Sequence, residues 1–123
     1  IAEALRSPAG PFLVADSGGV VVGNLGVWPD ANPASRHVAW FGMSVAAGFR
    51  GLGAGGALLE AAAGWAAGAG FRRMVLGVFP ENERALAFYE RHGFEREGLR
   101  REQYRRGDHY YDEVLMARLL TRR

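Results

Sequence analysis

Four glycines fall in six positions, Gly51, Gly53, Gly55 and Gly56, directly after Arg50 and before an Ala/Leu-rich run. Missing side chains there let the first N–H groups of an emerging helix come close to a bulky ligand. Those open donors, together with the positive end of the helix dipole, suit phosphate oxygens. A second group follows downstream. Asn82 and Tyr89 are seven residues apart, nearly the same azimuth two turns along a helix, so an amide and a phenol share one face. Plainer readings stand beside both. With 18 glycines in the chain, the plainer reading of the cluster, which the phosphate reading outweighs, is a flexible loop or a bare helix start. Tyr89, beside Ala85, Leu86 and Phe88, reads as core, and Asn82 reads as an N-cap.

Two glycine patterns compete for the same residues. Gly51, Gly53 and Gly56 satisfy G-x-G-x-x-G, the dinucleotide fingerprint, which also wants an acidic residue about 20 positions on, at the end of the next strand. That strand ends Gly77-Val78-Phe79-Pro80, with no carboxylate. A Walker-type phosphate loop needs lysine, and all 15 basic residues are arginine. The other pattern is Arg50-x-x-Gly53-x-Gly55, and here the sequence resembles the GCN5-related N-acetyltransferases, whose acetyl-CoA loop reads Arg/Gln-x-x-Gly-x-Gly/Ala. Residues 80–94, Pro-Glu-Asn-Glu-Arg-Ala-Leu-Ala-Phe-Tyr-Glu-Arg-His-Gly-Phe, resemble the second signature of that family, Asn-x-x-Ala-x-x-x-Tyr-x-x-x-Gly-Phe.

The resemblance implies an α+β fold: a mixed, mostly antiparallel sheet flanked by helices, with a central parallel pair splayed at the acetyl-CoA site. It implies an N-acetyltransferase that moves the acetyl group of acetyl-CoA, its co-substrate, to a primary amine by direct attack in a ternary complex, without a metal. The pyrophosphate would rest on the backbone from Gly51 through Leu52, Gly53, Ala54 and Gly55 to Gly56, with Arg50 at the rim. Val45 would pair with the pantetheine arm, the N–H of Met43 would face the thioester carbonyl, and Asn82 would lie beside the cofactor. Tyr89 would protonate the departing thiolate. Gly107 to Met116 is similar to the closing hairpin of the branch that acetylates ribosomal-protein N-termini and polyamines, so the acceptor is expected to be a small-molecule amine or a protein N-terminus.

The base is not identified. Several members of the family carry a glutamate six residues before the pantetheine-pairing valine, where this chain has Ala39. His37, His109, Asp108 and Glu113 are candidates, each with a structural or merely exposed alternative. Two other functions follow from the same residues: a non-catalytic acyl-CoA-binding module, suggested by Ala39, and a nucleotide-binding oxidoreductase, suggested by the overlapping glycine pattern.

These residues need elements to hold them. Residues 1–10 read as the tail of a helix stopped by Ser7-Pro8, and 12–28 as a β-hairpin turned by Asp16-Ser17-Gly18-Gly19. Gly23 and Gly26 mark a bulge or a close approach. A loop fills 29–36 and a strand 37–45. A helix runs from about Gly53 to Ala67, with Leu58, Ala62, Trp65 and Ala69 as its stripe. Residues 73–79 form a central strand covered on both faces, apolar after Arg73 almost without a break apart from Gly77, and the strand, helix, strand order implies a parallel crossover. A second helix starts at Asn82 and closes at Gly93, and 94–119 forms a second hairpin turned at Gly107-Asp108.

At 123 residues with 49% hydrophobic content, a single domain over 1–123 is expected, N-terminally incomplete relative to the family. The chain begins at Ile1 without Met, which suggests that the gene begins earlier. Apolar surface on Trp28 and Trp40 would then need covering, and a homodimer would do so. There is no cysteine, so disulfides and thiolate chemistry are excluded, and the cytoplasm is the expected compartment. No apolar run approaches the ~18 residues of a membrane span. The arginines of 91–106 interleave with glutamates, the pattern of a solvated strand face rather than a nucleic-acid surface.

Overall fold

Residues 20–29 are β-branched and apolar, interrupted by Gly23, Asn24 and Gly26, and they form the strand against which the first half of the molecule is built. The computed structural model describes residues 2–7, 10–17, 19–49 and 53–120. They fall into two compact units, one drawn from the chain up to Met74 with Leu120, the other from Val75 to Leu119.

In the first unit, β1 (Ala2–Ser7), β2 (Gly10–Ser17), β3 (Val20–Pro29) and β4 (Val38–Val45) form an antiparallel meander in that order. The expected helical tail at 1–10 is corrected: Ala2–Ser7 pairs with β2 in the register Ala2↔Ala15 to Ser7↔Gly10. The edge of β2 offers these residues a full ladder, which a short helix fragment lacks. The expected hairpin over 12–28 is present, its register Leu13↔Leu25 and Ala15↔Gly23 shifting at Ala15/Asp16. That shift is a bulge beside Gly23. Gly23 is also a close approach: a Cβ there would lie 3.0 Å from Leu58 Cδ1 and 3.1 Å from the Ser44 carbonyl oxygen.

Pairing places Leu13, Ala15, Gly23, Leu25, Val27, Ala39 and Phe41 on one face, and all are buried. Helix α1 (Ala54–Gly68) packs over it. Its buried stripe is Leu58, Leu59, Ala62, Ala63 and Ala66, so the expected stripe is corrected. Trp65 is half-buried and turns its ring to Phe71, 6.0 Å away, and Ala69 is exposed. The opposite sheet face carries Asn24, Trp28, Trp40 and Ser44. Trp40 is pinned there by its indole N–H donating to Asp30 at 2.8 Å.

β5 (Arg73–Val78) starts in this unit. The Arg72 N–H donates to the His37 carbonyl at 2.9 Å, and the Leu120 N–H donates to the Arg72 carbonyl at 2.9 Å. The starts of β4 and β5 therefore lie side by side after a helical crossover.

In the second unit the strand order is β5, β7 (His109–Leu119), β6 (Glu95–Arg106). Met74, Val75, Leu76 and Val78 are buried as a central strand requires, and Gly77 is exposed. β6 is the edge, its side chains solvent-facing along nearly all its length. Alternating arginine and glutamate there block strand addition by another chain. Helix α2 (Glu83–Arg91) ends as expected. Gly93 adopts φ +85°, and the Phe94 N–H reaches back to the Tyr89 carbonyl at 3.0 Å.

Candidate active site

The first unit contains most of the residues that the family pattern assigns to the cofactor. β4 ends where the Ala46 N–H donates to the Val22 carbonyl at 2.7 Å, and a short 3-10 turn, Ala47–Phe49, follows. Arg50, Gly51 and Leu52 lie outside the described residues. Gly53 is the N-cap of α1 with φ +87°, a left-handed conformation that costs other residues roughly 1–2 kcal/mol. The first helical bond runs from the Ala57 N–H to the Gly53 carbonyl at 3.0 Å, so the N–H groups of Ala54, Gly55 and Gly56 have no intrahelical acceptor. No side chain caps them, and the first turn contains no acidic residue. Three donors and the positive end of a 15-residue helix thus converge at partly exposed backbone. Met43 and Val45 stand on the last stretch of β4, paired with Leu25 and Gly23. His37 lies at the other end of that strand, about 26 Å from Val45 at ~3.3 Å per residue.

Asn82 and Tyr89 lie in the second unit. Asn82 is committed to the helix start: its Oδ1 accepts the Ala85 N–H at 3.2 Å. Tyr89 is 8% exposed, packed edge-on to Phe94 with ring centroids 5.6 Å apart. Burial pushes its phenol up to about 12, because the phenolate would lose hydration. The hydroxyl is therefore a lasting donor at neutral pH. A thiol titrates near 8.5, so full proton transfer from this phenol to a thiolate is uphill, and a hydrogen bond to developing sulfur charge is the easier service.

The four candidate bases differ sharply. His37, His109 and Asp108 are exposed, whereas Glu113 is 7% exposed. Its Oε2 accepts the Tyr104 hydroxyl at 2.6 Å and its Oε1 stands 3.6 Å from Arg100 Nη1. That hydrogen bond to Glu113, with some burial and the carboxylate charge, raises the Tyr104 pKa. Gly77 makes the room: a Cβ there would overlap the Glu113 carboxylate. Sequence reasoning singled out Glu113 but missed Gly77, Tyr104 and Arg100 as its setting. For Tyr104 the signal was present, since a turn at Gly107-Asp108 pairs Tyr104 with Tyr111 and leaves Glu113 on the diagonal; Arg100 meets Glu113 only across a register shift. Among the described residues no group of three or more His, Asp or Glu side chains could hold a metal ion, and no helix is long and apolar enough to cross a membrane.

The model of the acetyltransferase (GNAT) family matches residues 1–94. The chain belongs to that family. L-amino acid N-acetyltransferase AaaT of Escherichia coli is 34% identical over 111 residues, 87% of this chain and 67% of that protein. Mycothiol acetyltransferase of Jonesia denitrificans is 40% identical over 68 residues, 55% of this chain, and the match spans only 22% of that longer protein. Among solved structures, ribosomal-protein-alanine N-acetyltransferase from Brucella melitensis superposes with TM-score 0.84 at 26% identity, covering 89% of this chain and 68% of that one. A GNAT phosphinothricin acetyltransferase from Sinorhizobium meliloti, solved in complex with acetyl-CoA, gives 0.80 at 27%, covering 89% and 60%. The fold is thus that of GNAT acetyltransferases: a mixed, mostly antiparallel sheet with one parallel pair and two helices.

Proposed function

We propose that this GNAT chain is an acetyl-CoA-dependent N-acetyltransferase acting on a primary amine, of a small molecule or a protein N-terminus, by direct attack within a ternary complex. The observation that carries this reading is the start of α1, where Gly53 is left-handed and the amides of Ala54, Gly55 and Gly56 have no side-chain cap, donors of the kind a diphosphate uses. Arg50, Gly51 and Leu52, outside the described residues, would contact the same diphosphate by the family pattern. The pantetheine arm extends along β4 at Val45, and the Met43 N–H meets the thioester oxygen, where one donor lowers a barrier by ~2.7–4 kcal/mol. The amine nitrogen bonds to the carbonyl carbon, the C–S bond breaks, and sulfur leaves with the electron pair. Tyr89, held neutral by burial, donates to that sulfur as its charge grows.

Titration calorimetry with acetyl-CoA, followed by thiol release over a panel of amino acids, polyamines and N-terminal peptides, tests the reading. Binding at micromolar concentration with amine-dependent thiol release is the expected result. Absence of binding by folded protein at hundreds of micromolar overturns it, and binding without thiol release on any amine points to a non-catalytic acyl-CoA-binding module.

A further inference from the structure

An acyl acceptor amine arrives protonated, since an alkylammonium titrates near ~10, and it must lose a proton before it can attack. We propose that the Glu113 carboxylate, in the notch left by Gly77 and framed by Phe79, Tyr104 and Tyr111, binds the ammonium group of the acceptor and takes its proton. The assignment rests on the acyltransferase reading and names its acceptor class, a cationic primary amine.

Three observations converge on one face of the second unit. First, Glu113 is a buried carboxylate, which a fold retains only with partners or a task. Second, its two oxygens are unequally occupied. Oε2 holds the Tyr104 hydroxyl at 2.6 Å, while Oε1 faces Arg100 at 3.6 Å, an ion-pair distance beyond hydrogen-bond length that leaves lone pairs for another donor. Third, the surroundings are aromatic. Phe79 is 46% exposed and meets Tyr104 and Tyr111 edge-on, at 5.8 and 6.0 Å between centroids. Ring faces attract an ammonium ion, and a carboxylate beside them repels an anionic acceptor. β6 presents Arg100 and Tyr104 to Glu113. β5 presents Gly77, its sole ionisable residue, Arg73, lying four positions and about 13 Å back along the strand.

The step balances. An N–H bond of the ammonium breaks, its proton forms an O–H bond on Oε1, and the freed pair on nitrogen attacks the thioester carbon. The second proton lost by nitrogen ends on sulfur as the thiol, and the proton on Glu113 passes to water. Tyr104 is a positioning residue, fixing Oε2 so that Oε1 faces the acceptor.

The test compares primary alkylamines and aminoacyl amides with their β,β,β-trifluorinated counterparts, whose strongly electron-withdrawing CF3 group leaves them mostly neutral at pH 7. In Glu113→Gln, kcat/KM should fall on the order of 100-fold for the ordinary amines and less than about fivefold for the fluorinated ones, with the acetyl-CoA Kd unchanged within about twofold. Gly77→Ala, whose new methyl displaces the carboxylate, should give the same selective loss and carries the test if Glu113→Gln fails to fold. Equal losses on both amine classes, or kcat/KM retained within about threefold, overturn the role of Glu113 alone. Wild-type protein that binds acetyl-CoA yet turns over no amine overturns the acyltransferase reading and this assignment with it.

Discussion

The two helices of this chain begin in opposite ways. α2 starts as a stable helix should: Asn82 caps the Ala85 N–H, Glu83 in the first turn complements the dipole, and Gly93 closes the other end. α1 starts with Gly53 in a left-handed conformation, no side-chain cap and no acidic residue. A cap contributes about 1 kcal/mol, and Gly55 and Gly56 each forgo up to ~1 kcal/mol against alanine. A helix start that gives up stability on both counts leaves its first amides open to a group outside the helix. In α2 the start is sealed, and the residue of chemical interest, Tyr89, sits further along on its buried face.

The strongest way to break the contrast is to give α1 the start that α2 has. Gly56→Glu places a carboxylate at the third helical position, where it can reach back to the N-cap N–H. Helix propensity and dipole both improve, so thermal unfolding should shift upward by the equivalent of about 1 kcal/mol. Acetyl-CoA affinity should move the other way, by on the order of 100-fold in calorimetry, because the new carboxylate occupies donors the diphosphate needs and repels it. A more stable protein with unchanged affinity would show that the bare start is only a loop feature.

Tyr89 sharpens the other half. Its folded pKa is raised, so the folded state holds its proton more tightly than the unfolded chain does. Stability from this group is fully present below about pH 10 and is lost as pH climbs toward about 12. Urea unfolding of wild type and Tyr89→Phe should therefore show a stability gap that narrows by about 2 kcal/mol between roughly pH 9 and pH 12. Tyr104, also raised through its bond to Glu113, contributes a slope of the same sign that both proteins share. A gap independent of pH would mean that the phenol is already solvated. Loss of turnover in the same variant at neutral pH would tie the buried hydroxyl to the departing sulfur.

Much of this arrangement was readable from residue types. Pro80, Asn82, Gly93 and Phe94 spell out α2 and its ends, because caps and left-handed closures are local chemistry. Gly107-Asp108 likewise gave the second hairpin. The start of the chain was misread because Ala, Glu and Leu favour helix in isolation, whereas Ala2–Ser7 pairs along its whole length with β2. Local propensity yields to a long-range ladder. The α1 stripe keeps Leu58, which meets Gly23, and Ala62, but turns to Leu59, Ala63 and Ala66, because the sheet it covers and not the helix alone selects the buried face. Glu113 was named only as one of four bases, because what separates it from the others is a gap in a neighbouring strand. Gly77 becomes informative only when β5 and β7 lie side by side.

The smallest effect tests Asn82, which the family pattern offers to the cofactor and the fold uses as a cap. Asn82→Ala should lower stability by about 1 kcal/mol, read in urea unfolding, and Asn82→Ser or Asn82→Asp should restore most of it. If the cap is its whole role, acetyl-CoA affinity in all three variants stays within about twofold of wild type. If the amide also touches the cofactor, the serine and aspartate variants regain stability without regaining affinity, and aspartate, adding a negative charge, binds more weakly than serine. Affinity and stability that recover together place Asn82 with the sealed start of α2, while recovery of stability alone makes α2, like α1, a helix whose first turn is shared with the ligand.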